Sequence, residues 1–312
     1  MRTLSDFYKS LFGCKVYKIS LNASCTCPNR DGTKGTGGCI FCSAKGSGDF
    51  ISSSKSISCQ FKEGLKLVEN KSRGRKGKNQ VLYIPYFQSF TSTYGDENLL
   101  KQKYIEAINQ KDVCGLAIAT RPDCISENIL SKLKEISQII LPATGKKPFI
   151  QLELGLQTSN ENTGKLINRC YTDEDYKNAV SLIKKELTDC HIVTHLILGL
   201  PGETEKDMID SVSFVAAANT LSGNSSWGIK FTCLYVLKNT VLEKLYREEK
   251  FSVLTEDEYF ELLNKILPLI PQNAVVHRLT GDPPKKEAVA PLWSFDKKRI
   301  LNRINKSFFT LF

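Results

Sequence analysis

Apolar residues along this chain fall into two kinds of block. Short, nearly continuous apolar runs occur at 16–21, 81–87, 115–120, 149–155, 191–199 and 229–236, and their length and content predict buried strands. Between them, apolar positions recur at helical spacing over 59–70, 97–109, 126–140, 172–187 and 205–218. In the first of these helices Phe61, Leu65, Leu67 and Val68 form the apolar side. Ser126 and Thr172 stand where N-caps are expected. Pro85 cannot donate a ladder hydrogen bond, which weakens the second strand. Apolar strands alternating with helices predict an α/β fold with a parallel sheet and helices outside. Six units, rather than eight, predict a partial (β/α)6 barrel. No internal repeat is visible.

Two segments interrupt the pattern. Residues 71–79 form a basic loop with no apolar anchor, which reads as a solvated connector or, functionally, as a phosphate contact. After residue 255 come a helix, the stretch 274–284 with a polar cluster of His277, Arg278 and Asp282, and a basic helix carrying Lys297, Lys298, Arg299, Arg303 and Lys306. The expected organisation is a core domain over 1–250 and a C-terminal extension over 251–312. That extension would pack on the core with its basic face outward.

Charge and cysteine usage narrow the class. A net charge of +10 over 312 residues favours a polyanionic partner such as RNA. The opening residues show no signal-peptide pattern, and no apolar run is long enough to span a bilayer. A cytoplasmic protein without a membrane partner is expected. Most of the 11 cysteines lie singly in apolar runs, as small buried hydrophobes do, so disulfides are not expected.

One cluster is different. Cys27 is followed by a polar, glycine-rich loop and then by the Cys39-x-x-Cys42 pair. Thiolates are soft ligands that suit iron–sulfur clusters and zinc. Gly32, Gly35, Gly37 and Gly38 let the backbone pass close to such a centre. Structural zinc needs four closed ligands, and the chain has no second Cys-x-x-Cys. A thioredoxin-like pair would use Cys39 and Cys42 and leave Cys27 and the glycines without a role. Three thiolates on a four-iron cluster would leave one iron open to a small molecule. Cys25, two residues before Cys27, is an alternative ligand.

With the six-unit pattern, this loop resembles the radical S-adenosylmethionine (SAM) superfamily. The wording from Cys27-Pro28-Asn29-Arg30-Asp31-Gly32 to Cys39-Ile40-Phe41-Cys42 is similar to the bacterial YhcC-type family, which is related in pattern to the catalytic subunit of Elongator. The motifs at 120–124, 153–157, 198–204, 277–282 and 290–294 fall in family order. The stretch after Cys42 resembles the subgroup called YtqA, or MnmL. The resemblance implies a [4Fe-4S] cluster held by Cys27, Cys39 and Cys42, with SAM as cosubstrate and source of a 5′-deoxyadenosyl radical. It implies a flavodoxin- or ferredoxin-like reductant. It implies action on tRNA, converting 5-carboxymethylaminomethyl-uridine at the wobble position to 5-aminomethyl-uridine for a downstream methyltransferase. A metabolite or protein substrate, and a non-enzymatic redox sensor, are the competing readings.

The resemblance also assigns residues. Gln88, Ser89 and Thr91 stand where relatives place a Gly-Gly-Glu-like turn for the cofactor amino group, although the usual carboxylate is missing. Glu153 and Gln157 flank Gly155; Glu153 is expected to bind ribose hydroxyls or to be a satisfied strand carboxylate. Arg169 is expected to hold the cofactor carboxylate or to form a surface ion pair. Gly199 and Pro201 are expected near adenine or simply in a tight turn. Arg121, Asp123, Lys230, His277, Arg278 and Asp282 are the substrate-side candidates. Relatives carry histidines in the sixth strand, where this chain has Thr232 and Tyr235. His195 reads as an ordinary buried histidine with the option of facing the barrel.

Overall fold

The structure is a computed structural model that describes residues 1–46, 51, 54, 56–72, 80–223 and 226–308. Most of the basic 71–79 loop therefore lies outside the described residues. In chain order the elements are β1 (Arg2–Thr3), α1 (Leu4–Phe12), β2 (Lys15–Leu21), α2 (Ile57–Ser72), β3 (Val81–Phe87), α3 (Glu97–Ile108), β4 (Gly115–Thr120), α4 (Glu127–Ile136), β5 (Phe149–Gln157), α5 (Glu161–Leu166) and α6 (Asp173–Glu186). They continue with β6 (His191–Leu198), α7 (Glu205–Leu221), β7 (Trp227–Cys233), β8 (Val236–Leu237), α8 (Val241–Arg247), α9 (Glu256–Ile266), β9 (Ala274–Arg278), β10 (Ala288–Ala290) and α10 (Lys297–Phe308).

Strands β2 to β7 lie side by side in chain order, and every neighbouring pair is parallel. The sheet is curled, so residues on distant strands meet inside it: Lys18 on β2 and Lys230 on β7 both reach Glu153 on β5. This is the α/β partial barrel that the six apolar runs predict. β9 and then β1 extend it to eight strands beyond β7. The chain after residue 250 therefore does more than pack on the outside, because Ala274–Arg278 pairs with β7 within the main sheet. β8 and β10 form a small separate antiparallel pair.

Period-two alternation decides the two faces of each strand. On β5, Ile150, Leu152, Leu154 and Leu156 belong to the large apolar core. Burying each contributes roughly 1.5–3 kcal/mol. The intervening Glu153, Gly155 and Gln157 face the interior cavity. Pro85 sits in β3 where its ladder to β4 breaks: Tyr83 bridges Val113, but Tyr86 pairs with Ala117, one residue out of step. An interior strand tolerates the missing N–H because the ladder is already interrupted there.

Local signals place the helices. The Ser126 and Thr172 side chains accept from Ile129 N–H and Asp175 N–H, the latter in a full capping box. The 126–140 pattern yields a shorter helix, α4, that ends at Ile136. α1 starts on a Thr3 cap and stops at Gly13, whose φ of 69° is left-handed. Its Phe7 and Tyr8 pack with Leu82, Ile84 and Val275 and close one end of the barrel.

α10 docks on α9 through charge. Arg299 and Arg303 pair with Glu256, Arg303 also with Asp257, and Lys297 with Asp282. Ile300 and Ile304 form the buried side of α10, while Lys297, Lys298, Arg299 and Lys306 stay exposed, as the sequence predicts; only Arg303 is partly covered.

Candidate active site

The cysteine loop leaves the end of β2 and is folded mainly by its own backbone. Arg30 N–H donates to Cys27 O (2.8 Å), Lys34 N–H to Pro28 O (2.8 Å), Gly38 N–H to Asn29 O (2.7 Å) and Cys42 N–H to Cys39 O (3.0 Å). Gly38 has φ 76°, and a Cβ there would lie 2.8 Å from Arg30 Nε. Gly35 has no space either, since its Cβ would lie 2.4 Å from Asn29 Oδ1. The segment after α5 fastens the loop from outside. Asn168 Nδ2 donates to Thr36 O and Gly38 O, and Ile40 N–H donates to Ile167 O.

Cys27, Cys39 and Cys42 all line one cavity of about 430 Å³; Cys25 does not. Asn29 Nδ2 points at Cys39 Sγ (3.7 Å), and Arg121 Nη1 at Cys27 Sγ (3.8 Å). Burial, then the neighbouring Cys42, pushes the Cys39 thiol up to about 12 despite the nearby Arg121. Burial likewise holds the Cys25 thiol up at about 11. Among the described residues no three His, Cys, Asp or Glu side chains converge to hold a single metal ion. The three sulfurs thus share a cavity without closing on one point.

The cavity continues into the barrel, where Glu153 is fully buried. Its Oε1 accepts from Lys18 and from Gln151 (2.6 Å). Its Oε2 accepts from Tyr86 OH (2.7 Å), His195 Nε2 (2.5 Å) and Lys230 (3.0 Å). Burial would raise this carboxyl, but Lys18 and Lys230 outweigh it and hold it well below the usual range. Burial lowers Lys230 to about 7, with Arg278 and Lys18 adding to the effect against the pull of Glu153. Burial and Lys230 lower His195 to about 4, so at neutral pH it is uncharged and donates from Nε2.

The family model described as the radical SAM superfamily matches residues 27–215, and the radical SAM C-terminal domain matches 226–309. The chain belongs to the radical SAM superfamily. It is 36% identical to a Bacillus subtilis protein called YtqA over 97% of this chain and 88% of that one. It is 29% identical to the Escherichia coli protein YhcC over 90% and 84%. A Clostridium perfringens tRNA-2-methylthio-N(6)-dimethylallyladenosine synthase is 25% identical over 51% of this chain and 31% of its own. Among solved structures, Elp3 of Methanocaldococcus infernus superposes with a TM-score of 0.62 at 16% identity, over 94% of this chain and 63% of that one.

Radical SAM enzymes use a [4Fe-4S] cluster and SAM, and the residues here fit both. Three cavity-facing thiols, two with N–H donors aimed at sulfur, suit a cluster wider than a single ion. Of the residues expected around SAM, Gln88, Thr91, Glu153 and Gln157 line the cavity. Ser89 sits behind it, buried, with its Oγ unpartnered. Glu153 is spoken for by five donors, which favours its role as a satisfied carboxylate over ribose binding.

Arg169 is a correction. Its guanidinium is fully buried, and all five N–H bonds are used: by the carbonyls of Tyr171, Leu156 and Thr158 and the carboxylates of Glu161 and Asp173. It pins the segment that fastens the cysteine loop and has no donor left for a cofactor. Gly199 and Pro201 are also corrected. Neither lines the cavity, and Leu254 packs on Gly199, whose φ of 90° makes the turn.

The substrate-side candidates divide. Arg121, Lys230, Arg278 and Asp282 line the cavity. Asp123 stands behind Arg121 (2.9 Å) and Lys34 (2.8 Å) as their counter-ion. His277 is corrected: it lies at the closed end against Gly228, with its Nε2 2.8 Å from His191 Nε2. Lys18 and Tyr86 join the site without being candidates in the sequence, and His195 takes the second of its two expected readings by facing the barrel cavity. For Lys18 the available signal was a charged residue on the inner parity of an apolar strand.

Proposed function

We propose that this radical SAM enzyme acts on tRNA, cleaving the C–N bond that holds the carboxymethyl group of 5-carboxymethylaminomethyl-uridine at the wobble position to leave 5-aminomethyl-uridine. Water would supply the oxygen of the departing glyoxylate, with one hydrogen atom passing to the 5′-deoxyadenosyl group, the second electron to the cluster and a proton to solvent. The observation that carries the reading is the shape of the cavity: cysteine thiols at one side, a cationic interior at the other, and room between them for a reacting group. The similarity to YtqA and the named tRNA substrate of the more distant Clostridium relative support it, as does the net charge of +10.

Cys27, Cys39 and Cys42 would hold the cluster, and Gln88, Thr91 and Gln157 would contact SAM. Together cluster and SAM supply hydrogen-abstracting radical chemistry. The protein's own contribution is positioning. Arg121 and Asn29 direct N–H groups at sulfur, the 167–170 segment fixes the loop, and the apolar plug of Phe7 and Tyr8 closes the far end to water. His195 lines the cavity as a neutral imidazole and holds Glu153 in place through Nε2.

The test is anaerobic. Cluster-loaded protein, dithionite, SAM and tRNA from a strain lacking this gene are combined, and both products are analysed by mass spectrometry. Formation of 5′-deoxyadenosine with loss of the carboxymethyl group is expected. SAM cleavage without a change in tRNA would move the substrate to a metabolite or protein. A full, reducible cluster that never cleaves SAM would favour a redox sensor.

A further inference from the structure

The interior of the cavity holds more positive charge than its own carboxylate can balance. Lys18 and Lys230 share the single carboxylate of Glu153. Arg278, paired in register with Lys230 on the neighbouring strand, makes no ion pair among the described residues. One of its Nη atoms reaches Thr232 Oγ1 (2.5 Å), and its Nε is buried without a partner among the described residues. The other charged groups on the cavity wall are answered locally: Arg121 by Asp123, Asp282 by Lys297, and Arg30 by the carbonyls of Cys42 and Ser43. A buried, unpaired guanidinium N–H is costly unless a ligand completes it.

The place of this excess is informative. The cysteine loop follows β2, while Arg278 ends β9, near the opposite edge of the curled sheet. Arg278 and the three cysteines, carried by distant parts of the sheet, line the same cavity.

We propose that Arg278, together with Lys230, forms a carboxylate subsite for the substrate. The cavity-lining guanidinium would donate its N–H groups to the carboxylate, and Lys230 would donate beside it. Glu153 does not compete, because five donors already occupy it. This deepens the proposed function, since the group to be removed there ends in a carboxylate, but the subsite stands on cavity charge and serves any carboxylate substrate.

The test measures binding to anaerobic, cluster-loaded protein with SAM present. The probes are N-acetylglycine and its neutral analogue N-acetylglycinamide, followed by an anticodon stem-loop carrying 5-carboxymethylaminomethyl-uridine or the corresponding amide. The acid is expected to bind about tenfold or more tightly than the amide, with Arg278→Gln abolishing the preference and Arg278→Lys keeping part of it. Equal binding of acid and amide overturns the subsite, as does a preference that survives both Arg278→Gln and Lys230→Gln. An equal loss of SAM affinity in Arg278→Gln also overturns it, because the carboxylate would then be the cofactor's. If neither stem-loop binds while N-acetylglycine keeps its preference, the subsite holds and the tRNA reading fails.

Discussion

The cavity has two ends built on different physics. At the cysteine end, a contiguous stretch of chain folds on itself through backbone hydrogen bonds and glycine turns, and its polar side chains serve the loop. At the interior end no stretch of chain is responsible. Lys18, Tyr86, Glu153, His195 and Lys230 come from five strands and depend on one another for charge balance. The first end can lose a ligand and keep its fold, whereas the second cannot lose its central carboxylate without leaving buried cations exposed to each other.

The largest expected effect separates them directly. Cys39→Ala should abolish iron and sulfide uptake in anaerobic reconstitution while leaving the urea midpoint of the iron-free protein nearly unchanged. An intact four-iron absorption band in that variant would defeat the ligand assignment. Glu153→Ala should do the reverse. Removing one partner of a buried ion pair costs about 3–5 kcal/mol, so urea unfolding should show a loss of that order. A variant as stable as the parent would show that water, rather than Glu153, balances Lys18 and Lys230.

Acid should weaken the closed interior before it touches the loop. Burial lowers His195 to about 4 and His191 to about 3, and places His277 well below its ordinary 6.5. Unfolded histidines take up protons near 6.5, while the folded ones remain neutral until those lower values. Stability is therefore fully present above 6.5 and is lost as pH falls from 6.5 toward 3. A urea midpoint that stays flat across this range would contradict the buried, neutral state. The smallest effect is a local control. Thr172→Ala removes the capping box of α6 and should cost about 1 kcal/mol in the same unfolding assay, with iron loading unchanged.

The parts legible in the sequence share a common feature. The six strands, the caps at Ser126 and Thr172, and the three cysteines on one cavity depend on residues close together in the chain. Arg169, Gly199 and His277 were placed by motif order, and each turned out to serve packing, because order along a chain does not say which way a side chain points. Lys18 is not legible for the complementary reason, and His195 is legible only as two alternatives: each has its partner more than 40 residues away.

By itself, then, the amino-acid sequence determined the alternation of strands and helices and the cysteine loop, since hydrophobic period, caps and ligand spacing are local properties. Only the tertiary structure decided which charges meet. The curl of the sheet brings β2, β5 and β7 around one carboxylate and leaves Arg278 without one among the described residues, and electrostatic balance of that kind is a sum over distances in space that no local pattern encodes.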